Sequence, residues 1–125
     1  MYAIGSSYLI RQAPGAERLG GVTVKVRPRG SSCGTLEVLA TDWRTGEPIE
    51  DDVSLLAEAA DAGVRRFAAD YEVDLSEWDI TVSRLAYHPV DSSPLTTQIA
   101  AYNAIASALA SWHSTRLRSS GRTQN

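Results

Sequence analysis

Asp79-Ile80-Thr81-Val82-Ser83-Arg84-Leu85, followed after Ala86 by Tyr87-His88-Pro89-Val90-Asp91-Ser92-Ser93-Pro94, decides the fold. The first run alternates polar and apolar residues at a period of two, the pattern of a half-buried strand. Beyond it, Leu95, Ile99, Tyr102, Ala106 and Leu109 recur at helical spacing and mark an apolar helix stripe. Pro94 suits a first helical position, because its fixed φ is already helical and its missing N–H would be unbonded there anyway. Asp91, Ser92 and Ser93 offer side-chain oxygens that can cap the free N–H groups of that helix. The segment from Tyr87 to Asp91 therefore reads as an exposed tip at which a strand passes into a helix.

Working outward, Val22-Thr23-Val24-Lys25-Val26-Arg27 alternates in the same way and is closed by Pro28. Gly30 to Gly34 supply turn chemistry, and Thr35-Leu36-Glu37-Val38-Leu39-Ala40 reads as an antiparallel return. Residues 1–12 are expected to hold only a short strand, interrupted by Gly5, Ser6 and Ser7, and residues 13–21 read as a glycine-punctuated loop. After a loop from Asp42 to Pro48, Glu50-Asp51-Asp52 places negative charge where a helix N-terminus favours it. Val53, Leu56, Ala60, Val64 and Phe67 share one stripe of a helix over about residues 51–71. Arg65 and Arg66 lie late in that helix, and Gly63 permits close packing onto a sheet. Two helices with one apolar face each are buried most economically on one side of a sheet. The expected fold is an α+β two-layer sandwich, a mostly antiparallel sheet with two helices on one face. The domain is expected to span 1–112. Residues 113–125, which lose apolar periodicity and carry Arg116, Arg118 and Arg122, read as a basic mobile tail.

A chain of 125 residues with 43% hydrophobic content supports one core and not two. The net charge of −3 argues against a general nucleic-acid coat, since phosphate affinity comes from Lys and Arg. Charge is unevenly spread, however: the acidic side chains concentrate between residues 45 and 91, so a basic face remains open to either end of the chain. Lys25 and Arg27 share a strand face by parity and, with Arg18 and Arg29, form a basic run suited to phosphate. Cys33 is the only cysteine, which excludes an internal disulfide and gives no thiol set for zinc. No Gly-x-x-x-x-Gly-Lys-Ser/Thr loop is present, so no nucleotide site is expected. Cys33, His88, Asp91 and Ser93 are residue types of a nucleophilic triad, but their spacing fits no catalytic signature. The expectations are a non-enzymatic chain without cofactor or metal, without a membrane span, and cytoplasmic.

The junction resembles domain IV of the elongation factor G family, in which a strand runs into a Ser-Tyr-His-x-Val-Asp-Ser-Ser loop and then a helix. Tyr87, His88, Val90, Asp91, Ser92 and Ser93 stand in that order and spacing, and Ile99, Ala100 and Ala104 match the helix that follows. Arg18-Leu19-Gly20-Gly21-Val22-Thr23-Val24-Lys25-Val26 is similar to the family's Gln-Tyr-Gly-His-Val and the lysine-bearing strand after it. Gly20, Val22 and Lys25 match, whereas Arg18 and Gly21 replace the Gln and His, and the approach to Tyr87 is about two residues shorter. The resemblance covers roughly residues 18–112. It implies the two-layer fold shared with the second domain of small-subunit ribosomal protein five, including a left-handed strand-helix-strand crossover. It also implies a stand-alone module that contacts the ribosome or structured RNA through the Arg18 to Gly21 loop and through Tyr87 and His88. A second reading keeps the fold without an RNA role, as a module that binds a protein partner or assembles as a homodimer.

Overall fold

Alternation and helical spacing translate into four strands and two long helices in the computed structural model, which describes residues 2–13, 16–29, 38–88 and 91–123. Side chains at 12–13, 16–17, 38–39 and 115–123 lie outside that description. Strands β1 (Ala3–Ala13) and β2 (Ala16–Pro28) pair antiparallel along their whole shared length. Strand β3 (Val38–Asp42) leads to helix α1 (Ser54–Asp70), and strand β4 (Trp78–Tyr87) leads to helix α2 (Pro94–Thr123). The sheet order is β1-β2-β4-β3, with β2 antiparallel to both neighbours and β3 parallel to β4. Both helices cover one face, so the fold is the α+β two-layer arrangement of a mostly antiparallel sheet and two helices.

The two helices cover the sheet unequally. α2 lies along β1 and β2, while α1 packs chiefly against α2 and only lightly on β4. Val22, Val24, Val26, Ile80, Val82 and Leu85 turn inward from the sheet, and Leu56, Ala60, Val64 and Phe67 face them from α1. The buried side of α2 is Ala100, Ala101, Ala104, Ile105, Ala108 and Leu109. This corrects the sequence reading of α2: Leu95 is 59% exposed, and Ile99, Tyr102 and Ala106 are only half-buried. Of the expected stripe only Leu109 is buried, because where α2 lies on Gly5 its backbone is so close to the sheet that the contact residues are Ala104 and Ala108.

Glycine permits that approach. A Cβ at Gly5 would run into the carbonyl oxygen of Ala104, and one at Gly20 into the backbone at Thr96 and Thr97. A Cβ at Gly63 would meet the carbonyl oxygen of Gln98, so this glycine closes α1 onto α2 rather than onto the sheet.

The same contacts explain where strands replace expected loops. Gly5, Ser6 and Ser7 do not interrupt β1, because Gly5 is the seat of α2 and Ser6 Oγ hydrogen-bonds Thr23 Oγ1 at 2.9 Å. The expected loop from 13 to 21 is mostly β2, which begins at Ala16; Gly21 stays in the ladder with the Tyr8 ring lying where its Cβ would be. The expected antiparallel return is also corrected. Its described part, β3, lies on the far side of β4 and runs parallel to it, since alternation fixes which face is buried but not which strand is the neighbour. Residues 30–37, including Cys33, lie outside the described residues. α2 continues as helix to Thr123, beyond the boundary expected at 112, and residues 124–125 are outside the description.

At its C-terminus α1 ends with Glu72 in the left-handed region at φ 55°, while the Val73 N–H donates to the Ala68 carbonyl at 2.9 Å. This is the geometry in which a helix usually ends on glycine. Across the helix seam, Phe67 packs edge-on against Tyr102 with ring centroids 5.4 Å apart. Tyr102 donates its hydroxyl to Asp70 Oδ2 at 2.8 Å, and that bond, ahead of desolvation and the Asp70 charge, pushes the Tyr102 pKa up to about 12.

Two outcomes follow. Gly5→Ala is expected to destabilise the domain by about 1–3 kcal/mol by overpacking, against the usual preference for alanine over glycine in strands; a denaturant titration with an unchanged midpoint would show that α2 is not seated there. For Tyr102 the raised pKa adds stability that is present below the ordinary tyrosine value and is lost as pH rises through about 12. Asp70→Asn should bring the hydroxyl back toward the ordinary value in an alkaline ultraviolet titration, with Tyr102→Phe assigning the signal among the five tyrosines.

Candidate functional site

The turn from β4 into α2 is held by its own backbone and by β2. Leu19 sits in the middle of this arrangement: its N–H donates to the Asp91 carbonyl at 2.8 Å, and its carbonyl accepts the Ser93 N–H at 2.9 Å. Leu19 and Ser92 thereby form a parallel bridge. Arg18 and the tip loop are thus neighbours across this bridge, although about 70 residues separate them in sequence, by strand-pairing geometry alone. Arg18 and Gly21 are strand residues rather than loop residues, which corrects the expected loop at this place.

Within the tip, His88 is half-buried and locally bonded. Its N–H donates to Ser92 Oγ at 2.8 Å, and its carbonyl accepts the Ser92 N–H at 3.2 Å. Its Nδ1 lies 3.2 Å from the Asp91 N–H and 3.3 Å from Asp91 Oδ2. One nitrogen cannot serve both at once: unprotonated Nδ1 accepts from the amide, and protonated Nδ1 donates to the carboxylate. In either form the imidazole edge carrying Nδ1 is turned toward Asp91. Pro89 and Val90 lie outside the described residues.

Of the three residues expected to cap α2, Ser93 occupies the cap position, its Oγ accepting the Thr96 N–H at 3.3 Å and its carbonyl accepting the Thr97 N–H at 2.9 Å. The hydroxyl of Ser92 and the carboxylate of Asp91 are directed at His88 instead. His88, Asp91 and Ser92 are therefore together, but Ser92 Oγ meets the main-chain N–H of His88 rather than its ring, which is not the contact a nucleophile makes with its base. Tyr87 is half-buried at the end of β4, its carbonyl accepting the Trp43 N–H at 2.8 Å. A cleft of about 240 Å³ opens beside it, lined in part by Val53, Leu56, His88 and Pro94.

The remaining basic residues are elsewhere. Lys25 and Arg27 do share a face, both reaching over the Tyr2 ring at 6.0 and 4.8 Å from its centroid. Arg27 is also ion-paired with the largely buried Asp79 at 3.2 Å. Nine residues of extended strand separate Arg27 from Arg18, about 30 Å, and the valines at 22, 24 and 26 put Arg18 on the opposite parity. Arg29 is exposed one residue beyond β2, its N–H donating to the Glu77 carbonyl at 2.8 Å. The basic run is consequently two separate groups.

Nearby, a residue that composition did not single out organises the loop after β3. Asp42 Oδ1 accepts the N–H groups of Arg44 and Thr45 at 2.8 and 3.0 Å, and those bonds hold its carboxyl below the usual range. The Asp-x-x-Thr pattern before Gly46 is the signal of such a turn. Trp43, carried by this turn, packs edge-on against Tyr8 at 6.0 Å. Among the described residues no cluster of His, Cys, Asp or Glu could hold a metal ion, and no helix is long and apolar enough to cross a membrane.

No protein family matches the chain, and no curated protein matches it. Among solved structures it is similar to the crystal structure of ttk003000868 from Thermus thermophilus, with a TM-score of 0.62 and 23% sequence identity. The match covers 87% of this chain and 16% of that one, so the chain corresponds to a small part of a much larger protein. At this identity the likeness concerns the fold alone.

The tip geometry separates two serines with different duties. Ser93→Ala is expected to cost about 1 kcal/mol through the lost cap. Ser92→Ala should stay within about 0.5 kcal/mol of the parent while hastening hydrogen exchange of the His88 amide; equal effects on stability would contradict this division.

Proposed function

We propose that the chain is a non-enzymatic module resembling domain IV of elongation factor G, which contacts the ribosome or structured RNA through the end of the domain formed by Tyr87, His88 and Arg18. The observation that supports this reading is the Leu19 bridge, which sets Arg18 beside the tip loop. These are the two segments that carry the resemblance, and they are far apart in sequence. An imidazole can stack on an unpaired base, and a neighbouring guanidinium can pair with a phosphate. With the Lys25 and Arg27 group about 20–30 Å along β2, the contact at the tip is small and weakly dependent on salt.

Co-sedimentation with ribosomes over a salt series tests the reading. The wild-type chain should pellet with ribosomes at low salt, and Arg18→Ala should reduce the slope of log affinity against log salt by about 1. His88→Ala should weaken binding by about 1–3 kcal/mol, the range for a lost stacking partner. A wild-type chain that stays in the supernatant at low salt removes the proposal.

A further inference from the structure

β1 is an edge strand of 11 residues, and among the described residues no strand pairs with its outer side. Natural edge strands are commonly guarded by charge, proline or a bulge. From Ala3 to Ile10 there is no charged residue and no proline, and the register with β2 runs without a shift. On the face away from the helices the strand presents Ile4 at 53%, Tyr8 at 45% and Ile10 at 58% exposure.

The register also says which backbone groups point outward. Ala13 faces Ala16 across a two-residue connection, and the pair closing such a hairpin exchanges hydrogen bonds. Bonded pairs then alternate, so Arg11, Leu9, Ser7, Gly5 and Ala3 bond to β2. Ile4, Ser6, Tyr8 and Ile10 direct their N–H and C=O groups away from it. The outward donors and acceptors therefore belong to the residues that carry the exposed apolar side chains.

We infer that β1 pairs antiparallel with β1 of a second copy of this chain about a two-fold axis at Ser7, forming a continuous eight-stranded sheet. In this register Ile4 lies opposite Ile10 of the partner subunit, and Ser6 opposite the partner's Tyr8, each pair exchanging both backbone bonds. A shift of one residue would set bonded groups against outward ones, and a shift of two would break up the isoleucine pairs. The axis is perpendicular to the sheet, so both helix layers lie on one side. Three residues on from Ala104 and Ala108, which sit on Gly5 of β1, α2 carries the exposed small residues Ser107 and Ser111, and Ser114 continues the same row. Small side chains allow two helices to approach to about 8–10 Å. Nine paired residues give a contact about 30 Å long, and a sheet with its helix layer is about 20 Å deep. The footprint is then about 600 Å² per chain, or about 1,200 Å² in total, above the roughly 1,000 Å² expected of a specific interface. Neither β1 nor α2 carries an acidic residue, which limits repulsion at this contact between two chains of net charge −3.

Sedimentation equilibrium and interchain cross-linking test the inference on the full chain with Cys33→Ser. A concentration-dependent dimer is expected, and Ile4→Lys with Ile10→Lys should raise its dissociation constant about tenfold or more. Ser7→Cys should form an interchain disulfide in a glutathione buffer, because residues opposed at the axis have Cα atoms within disulfide range. Ser6→Cys, offset by two positions from its own copy, should not. Circular dichroism melts confirm that each variant is folded. A chain that stays monomeric through high micromolar concentration, or Ser6→Cys cross-linking as readily as Ser7→Cys, overturns the inference; the first result would leave β1 to a strand of a different protein.

Discussion

The close seating of α2 on its surroundings is the constraint on which the other packing depends. Its backbone lies against Gly5 and Gly20 on the sheet and against Gly63 on α1, and its own contact residues are mostly alanine. Bringing a helix this near a sheet removes the space that large side chains would otherwise fill. The remaining volume is filled from the other elements, by the valines of β2 and by Leu56, Val64 and Phe67 of α1. α1 is consequently displaced toward α2 and away from the sheet. The N-terminal end of α2 is fixed by the same contact, since Gly20 lies beneath Thr96 and Thr97 and one residue from the Leu19 bridge.

This explains which parts of the structure can be read from sequence. The alternation from Asp79 to Leu85 and the Ser93-Pro94 start of α2 are legible because a half-buried strand and a capped helix leave local periodic signals. α1 is legible for the same reason, to within a few residues at each end. β1 and the first half of β2 are obscured by Gly5, Gly20 and Gly21. Their glycines answer to a helix backbone and a tyrosine ring far away in sequence, and local propensity reads them as turns. The stripe of α2 is misplaced for a related reason: a hydrophobicity pattern favours Leu95 and Ile99, while close packing selects alanine. The parallel position of β3 has no local signal at all.

The candidate site is legible in its residues and not in its grouping. Tyr87, His88, Asp91, Ser92 and Ser93 stand out as one loop, and the hydrogen bonds among them are local. The basic residues stand out as one run, but a strand carries its residues apart at about 3.4 Å each. Arg18 therefore joins the tip, while Arg27 is held by Asp79 and Tyr2 at the other end of β2. Only pairing between β2 and the loop could reveal that division.

The Leu19 bridge is made from main-chain atoms on both sides. Its geometry therefore places few demands on the identity of the side chain at position 18, while those at 88 and 91 bond to one another within the loop. A loop anchored in this way behaves as a display platform: residues projecting from it can be exchanged, by drift or by design, with little change in where they project. Change in the side chains that project from this end of the domain is thereby uncoupled from the stability of the domain itself.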